Sequence, residues 1–101
     1  MKVKNPQNAV KVPFDLDAYI LHSEKNIELV FLNLKPGEHL AKHTNPFDVI
    51  FFVVEGTGDL TIEEENQTFY PFDTIKVTSE KLRGWENKGT ENLKILVIKL
   101  L

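Results

Sequence analysis

The chain has no cysteine among its 101 residues, which removes disulfides, thiolate metal sites, iron–sulfur clusters and cysteine nucleophiles together. It has no excess of positive charge either. Twelve basic residues stand against fifteen acidic ones, a formal net charge of -3, so nothing recruits nucleic acid or an anionic membrane surface. No apolar run approaches the roughly 18 residues of a membrane span, and residues 1 to 15 carry no apolar core of the kind that marks a signal peptide. A cytoplasmic location is therefore expected. Long helical patterns are missing too: no stretch sustains apolar residues at i, i+3, i+4 and i+7. What remains is an ordinary globular composition, 42% hydrophobic and 27% charged, sized for one domain with one core, and a chemistry of histidine, carboxylate, amide and hydroxyl groups.

The apolar residues that are present recur with the two-residue period of strands. Strands are expected near 9 to 12, 18 to 22, 27 to 34, 39 to 44, 49 to 55, 58 to 63, 67 to 70, 74 to 77, 82 to 87 and 93 to 100. Between them lie Pro36-Gly37, Gly56-Thr57-Gly58, Glu65-Asn66, Pro71-Phe72-Asp73 and Asn87-Lys88-Gly89-Thr90, all turn-forming clusters. Strands this short and this regularly interrupted predict an all-β sandwich or barrel of antiparallel strands. Gly56 and Gly58 are expected to flank a hairpin. The run Glu63-Glu64-Glu65 reads as a solvated hairpin end. Residues 49 to 54 and 95 to 98 are apolar at both parities, so both faces of those strands need cover. A homodimer supplies it most simply, the alternatives being the N-terminal strand or the edge of the other sheet.

Pro36-Gly37 followed by His43, then the strand 49 to 54 with Glu55-Gly56, resembles the first signature of the cupins. Phe72-Asp73-Thr74-Ile75 and Asn87-Lys88-Gly89 resemble the second, where the family often carries a Pro-Gly-Asp turn and a later Asn. The resemblance covers about residues 33 to 99 of a single domain spanning 1 to 101, with N-terminal strands in 1 to 32. It implies a double-stranded β-helix, or jelly roll, of two antiparallel sheets. It also implies a divalent metal held by two His and a Glu from the first signature and one His from the second. Counted from Gly37, the first of these is His43. The other three positions fall on Asn45, Val49 and Arg83, none of them an imidazole or carboxylate.

A metal site needs about three such ligands where thiols are absent. Asn45 offers only a neutral amide oxygen. Asp48 is one residue short of the Glu position, and a one-residue slip turns a strand side chain to the opposite face unless a bulge near Asn45-Pro46 restores it; otherwise it caps a loop or pairs with a surface cation. His39 shares the parity of His43, yet four extended residues separate them by ~13 Å. His22 has no partner motif and reads as an ordinary surface histidine. Arg83 has two readings, a turn residue paired with an acid at the surface or an inward-facing guanidinium. Inward, at ~4 Å and an effective dielectric of ~20, it opposes a divalent ion by roughly 8 kcal/mol, and it attracts a carboxylate or phosphate with a fork suited to two oxygens. Trp85 shares its parity, and Phe51 shares that of Val49, so both are candidates for an apolar pocket wall or for simple barrel filling.

The reading that follows is a small binding protein that takes a polar or anionic molecule, a carboxylate or phosphate, at His43, Asn45, Phe51, Arg83 and Trp85, with no cofactor. The alternatives are a metal-dependent oxygenase or isomerase using His43 with Asn45, Asp48 or His39, a metal-free isomerase with His43 as general base, and a structural protein whose barrel is filled.

Overall fold

The computed structural model describes all 101 residues. It contains ten strands and no helix: β1 (Val10–Lys11), β2 (Asp17–Ser23), β3 (Ile27–Leu34), β4 (His39–His43), β5 (Asp48–Glu55), β6 (Gly58–Ile62), β7 (Glu65–Phe69), β8 (Thr74–Val77), β9 (Arg83–Glu86) and β10 (Leu93–Leu100). Every expected strand is present, with ends within a few residues. The strands form a six-stranded sheet in the order β1-β2-β3-β10-β5-β8 and a four-stranded sheet in the order β4-β9-β6-β7. All pairings are antiparallel.

Alternation decides which residues make the core. On β5 the odd positions Val49, Phe51 and Val53 are buried, on β10 Leu93, Ile95 and Val97, and on β3 the even positions Val30, Leu32 and Leu34. The four-stranded sheet meets them with Leu60, Phe69 and Trp85. The Trp85 ring takes Phe51 edge-on at 5.4 Å and Phe69 at 5.3 Å between centroids, the T-shaped geometry that ring quadrupoles favour.

Two turns behave as their residues require. Glu38 N–H donates to Lys35 O at 2.9 Å across Pro36-Gly37, with Gly37 at φ +87°, a conformation open to glycine at no steric cost. Glu63 and Glu64 form the two-residue end of the β6–β7 hairpin, where Ile62 pairs with Glu65. Asn87, fully buried, donates to Leu34 O at 2.9 Å and Glu91 O at 2.8 Å and accepts from Gly89 N–H at 2.9 Å. It thereby ties the end of β3 to the loop before β10.

The expected hairpin at Gly56-Thr57-Gly58 does not exist. β5 pairs with β10 and β8, whereas β6 pairs with β7 and β9, so this turn is the corner where the chain passes from one sheet to the other. Nor does the N-terminal strand cover the outer face of β5 and β10. β1 and β2 extend the same sheet sideways, and Ile50, Phe52, Leu96 and Ile98 stay half-exposed on that face, paired in register as Ile50 with Ile98 and Phe52 with Leu96.

Candidate functional site

Between the sheets lies a cavity of about 160 Å³, with nine hydrophobic residues among the thirteen that line it. Its polar lining is His43, Asn45, Arg83 and Lys99. The first three come from the β4 end and the start of β9, the fourth from β10.

The placement of His43 depends on a β-bulge. Leu40 pairs with Trp85 and His43 with Arg83, so Ala41 and Lys42 together stand opposite Gly84 alone. A Cβ at Gly84 would meet Leu40 O at 2.7 Å and Lys42 N at 3.0 Å; the bulge closes over this position because it has no side chain. The extra residue shifts the parity of β4 midway, so Leu40 and His43 share the inward face. His39 is thereby turned away: it pairs with Glu86, is exposed, and does not line the cavity. The expectation that His39 and His43 face the same way fails because equal parity holds only along an unbroken ladder.

Arg83 is inward, with 1% of its surface exposed. Its Nη1 donates to Lys81 O at 3.2 Å. With the Asn45 carboxamide oriented by its hydrogen-bonding neighbours, the Asn45 oxygen accepts from Arg83 Nη2 while its NH₂ donates to Thr44 O at 3.1 Å. The Nε–H has no partner, and no ion pair of the protein involves Arg83. Burial pulls the guanidinium's pKa below its ordinary value, and it stays charged at neutral pH all the same. The surface reading, with a paired acid, does not hold.

His43 is at the rim, and its Nδ1 lies 3.0 Å from Ala41 O. A carbonyl only accepts, so Nδ1 carries the proton and Nε2 presents either a lone pair or, in the cation, a second N–H. Phe51 contributes to the cavity wall. Trp85, expected there too, is instead part of the packed core beside it, with its indole Nε1 unpartnered. Asp48 is away from the cavity lining. It caps the β8–β9 loop by accepting from Ser79 N–H at 2.8 Å and pairs with Lys76 at 3.5 Å, because the irregularity in this region falls between Leu40 and His43 rather than near Pro46. His22 is exposed on β2 and lies 2.8 Å from Glu24.

Lys99 was not among the expected site residues, although the row Leu93, Ile95, Val97, Lys99 on one parity of β10 carries the signal. Its Nζ pairs with Glu28 at 3.2 Å, both side chains being largely buried. Glu28 extends the inward row of β3 in the same manner.

The residues at the implied metal positions, His43, Asn45, Val49 and Arg83, do not fit a divalent cation: one imidazole, one neutral amide, a hydrocarbon and a permanent cation. No three His, Cys, Asp or Glu side chains anywhere in the protein come together as a metal set. The donor chemistry of the cavity suits negative charge.

Comparison with known proteins places the chain. Residues 30–99 match the family described as the cupin domain. Among curated proteins it is 31% identical over 65 residues to 5-nitrosalicylic acid 1,2-dioxygenase from Bradyrhizobium sp, covering 64% of this chain and 31% of that one. It is 27% identical over 88 residues to auxin-binding protein 1 from Arabidopsis thaliana, covering 78% and 44%. The chain thus spans less than half the length of these relatives. Among solved structures, a predicted oxalate decarboxylase from Thermotoga maritima superposes with a TM-score of 0.87 at 16% identity, covering 99% of each chain. An RmlC-like cupin family protein with a double-stranded β-helix fold from Methanocaldococcus jannaschii gives 0.83 at 19% identity, covering 99% of this chain and 90% of that one. The fold, the two-sheet topology and the matched residues agree, and the chain belongs to the cupin domain family.

Proposed function

We propose that this protein binds a small organic anion in its barrel and does so without a metal. The observation that carries the reading is the guanidinium of Arg83, buried at the cavity wall with no carboxylate partner and a free Nε–H. A buried charge without a counter-ion costs several kcal/mol, and a cavity bordered by that charge and by hydrocarbon is the setting in which a carboxylate gains most from pairing. The volume, about 160 Å³, is close to the roughly 150 Å³ of an engineered apolar cavity that takes benzene. A body of about six carbons with one acidic group therefore suits it. The curated relatives are themselves named for small molecules, a nitrosalicylic acid and auxin.

Cytoplasmic placement and a homodimer joined through the half-exposed apolar face of β5 and β10 belong to the same proposal. No helix is long and apolar enough to cross a membrane.

Isothermal titration with phenylacetate as the probe tests the reading. Wild type should bind it, and Arg83→Met should lose at least tenfold, the order expected for a charge-assisted pair in a low-dielectric site. Equal binding by the two, with the variant folded, would remove Arg83 from the site.

A further inference from the structure

Three features of the cavity narrow the anion further than its charge alone. The inference rests on the anion-binding reading above and specifies its ligand. First, the two cations lining the cavity are not equivalent. Lys99 is paired with Glu28 at 3.2 Å, so its charge is met within the protein, and Arg83 is left as the one lining cation without an acid. The site thus calls for a single negative charge. A phosphate dianion or a dicarboxylate would bring a second, to be answered by separating Lys99 from Glu28 or by protonating His43.

Second, the unpartnered polar atoms of two lining residues are of opposite kinds. Arg83 lines the cavity and carries a buried, unpartnered Nε–H, a donor that a ligand reaches as the side chain shifts. His43, whose Nδ1 proton is committed to Ala41 O, presents Nε2, an acceptor in the neutral ring. The two residues face each other across the β4–β9 ladder, which sets their Cα atoms about 5 Å apart. A ligand that satisfies both must carry an acceptor for the arginine and, next to it, an O–H for the histidine. Third, beyond these residues, Lys99, and Asn45 whose oxygen accepts from Arg83, the wall, including Leu32, Val49, Phe51 and Val97, is hydrocarbon.

We infer that the cavity takes a monoanionic hydroxycarboxylic acid, its carboxylate on Arg83, its neighbouring hydroxyl on His43 Nε2, and an apolar body of about six carbons between the sheets. A carboxylate and a hydroxyl on adjacent carbons suit a donor and an acceptor carried by residues paired across one ladder. The apolar body replaces water against side chains that have no hydrogen bond to offer it.

The test uses a matched set on wild type, His43→Ala and His43→Gln: mandelate, phenylacetate, which lacks the hydroxyl, and phenylethanediol, which lacks the charge. Wild type should bind mandelate about three- to tenfold more tightly than phenylacetate, the value of one hydrogen bond at a partly exposed rim, and should show no measurable affinity for the diol. In His43→Ala the preference for mandelate over phenylacetate should fall to within twofold. His43→Gln, which carries an amide oxygen near the place of Nε2, should keep part of the preference. If wild type binds the two acids equally and Arg83→Met abolishes both, the hydroxyl contact is wrong and the anion reading stands. A preference that survives His43→Ala also overturns the role given to His43. If neither acid binds folded wild type, the anion reading fails and this inference with it.

Discussion

Replacing Arg83 by methionine should cost the empty protein little or nothing, an outcome that separates a side chain kept for a ligand from one kept for the fold. Against the arginine stands the burial of an unpaired charge, several kcal/mol, lessened because the cavity beside it admits water. In its favour stand the bonds to Lys81 O and to the Asn45 oxygen, each worth about 1.5 to 3 kcal/mol when the donor is charged. Methionine is close to arginine's stem in length and regains about 1.5 to 3 kcal/mol of apolar burial. These contributions leave Arg83→Met as stable as wild type or up to about 2 kcal/mol more so, a melting point up to about 15 °C higher for a domain of this size. Phenylacetate at a hundred times the wild-type dissociation constant should then favour wild type, stabilising it by about 2.7 kcal/mol and the variant by no more than about 1.4 kcal/mol. Thermal unfolding followed by circular dichroism, with and without the acid, reads both effects. A variant destabilised by more than about 2 kcal/mol in the absence of acid would refute the reasoning, since Arg83 would then be an anchor for its loops.

The remaining expectations concern metal, pH and assembly. Zinc, nickel or manganese should give wild type no stoichiometric binding by metal analysis, whereas Arg83→His, which sets two imidazoles across the β4–β9 ladder, should raise zinc affinity measurably; a full equivalent of metal on wild type, lost in His43→Ala, would contradict this. Burial lowers the Arg83 pKa, so the unfolded chain holds that proton more tightly, and this residue makes stability rise with pH only in the strongly alkaline range. Phenylacetate affinity should accordingly stay flat between about pH 7 and 9, and a tenfold fall by calorimetry would show another titrating group in control. Ile98→Glu, in the middle of the half-exposed outer face, should convert a dimer to monomer or aggregate in sedimentation; a wild type that is monomeric at micromolar concentration would count against the dimer.

The strands were legible because period-two alternation survives at every core position from Val30 to Val97, whereas the facing of Arg83 stayed open between surface and interior until the pairing of β9 with β4 and β6 placed it. Sheet membership was not. A glycine-rich turn between two apolar strands is the same local pattern whether the strands pair with each other or part to different sheets, and the corner at Gly56-Thr57-Gly58 is decided by long-range pairing of β5 with β10. The facing of His39 was lost for a related reason. A parity count assumes an unbroken ladder, and the bulge opposite Gly84 breaks it within five residues. The glycine between Arg83 and Trp85 was the available hint, since a strand interior gains little from glycine unless another backbone comes close. Of the two readings open for Trp85, pocket wall or barrel filling, the second holds: enclosed by Phe51 and Phe69, it completes the core and leaves the cavity to smaller neighbours.

Arg83 is the only arginine in the sequence, so a ¹⁵N-correlated spectrum of the protein contains a single arginine Nε–H signal, from the atom that has no partner in the structure. Titration with phenylacetate observed at that signal shows whether the buried guanidinium receives the acid. Closure of the free donor by a carboxylate should move the resonance downfield in a saturable manner, with the same dissociation constant that calorimetry returns. An Nε–H signal that stays in place while the acid binds elsewhere, or while no binding occurs at millimolar acid, would contradict the account.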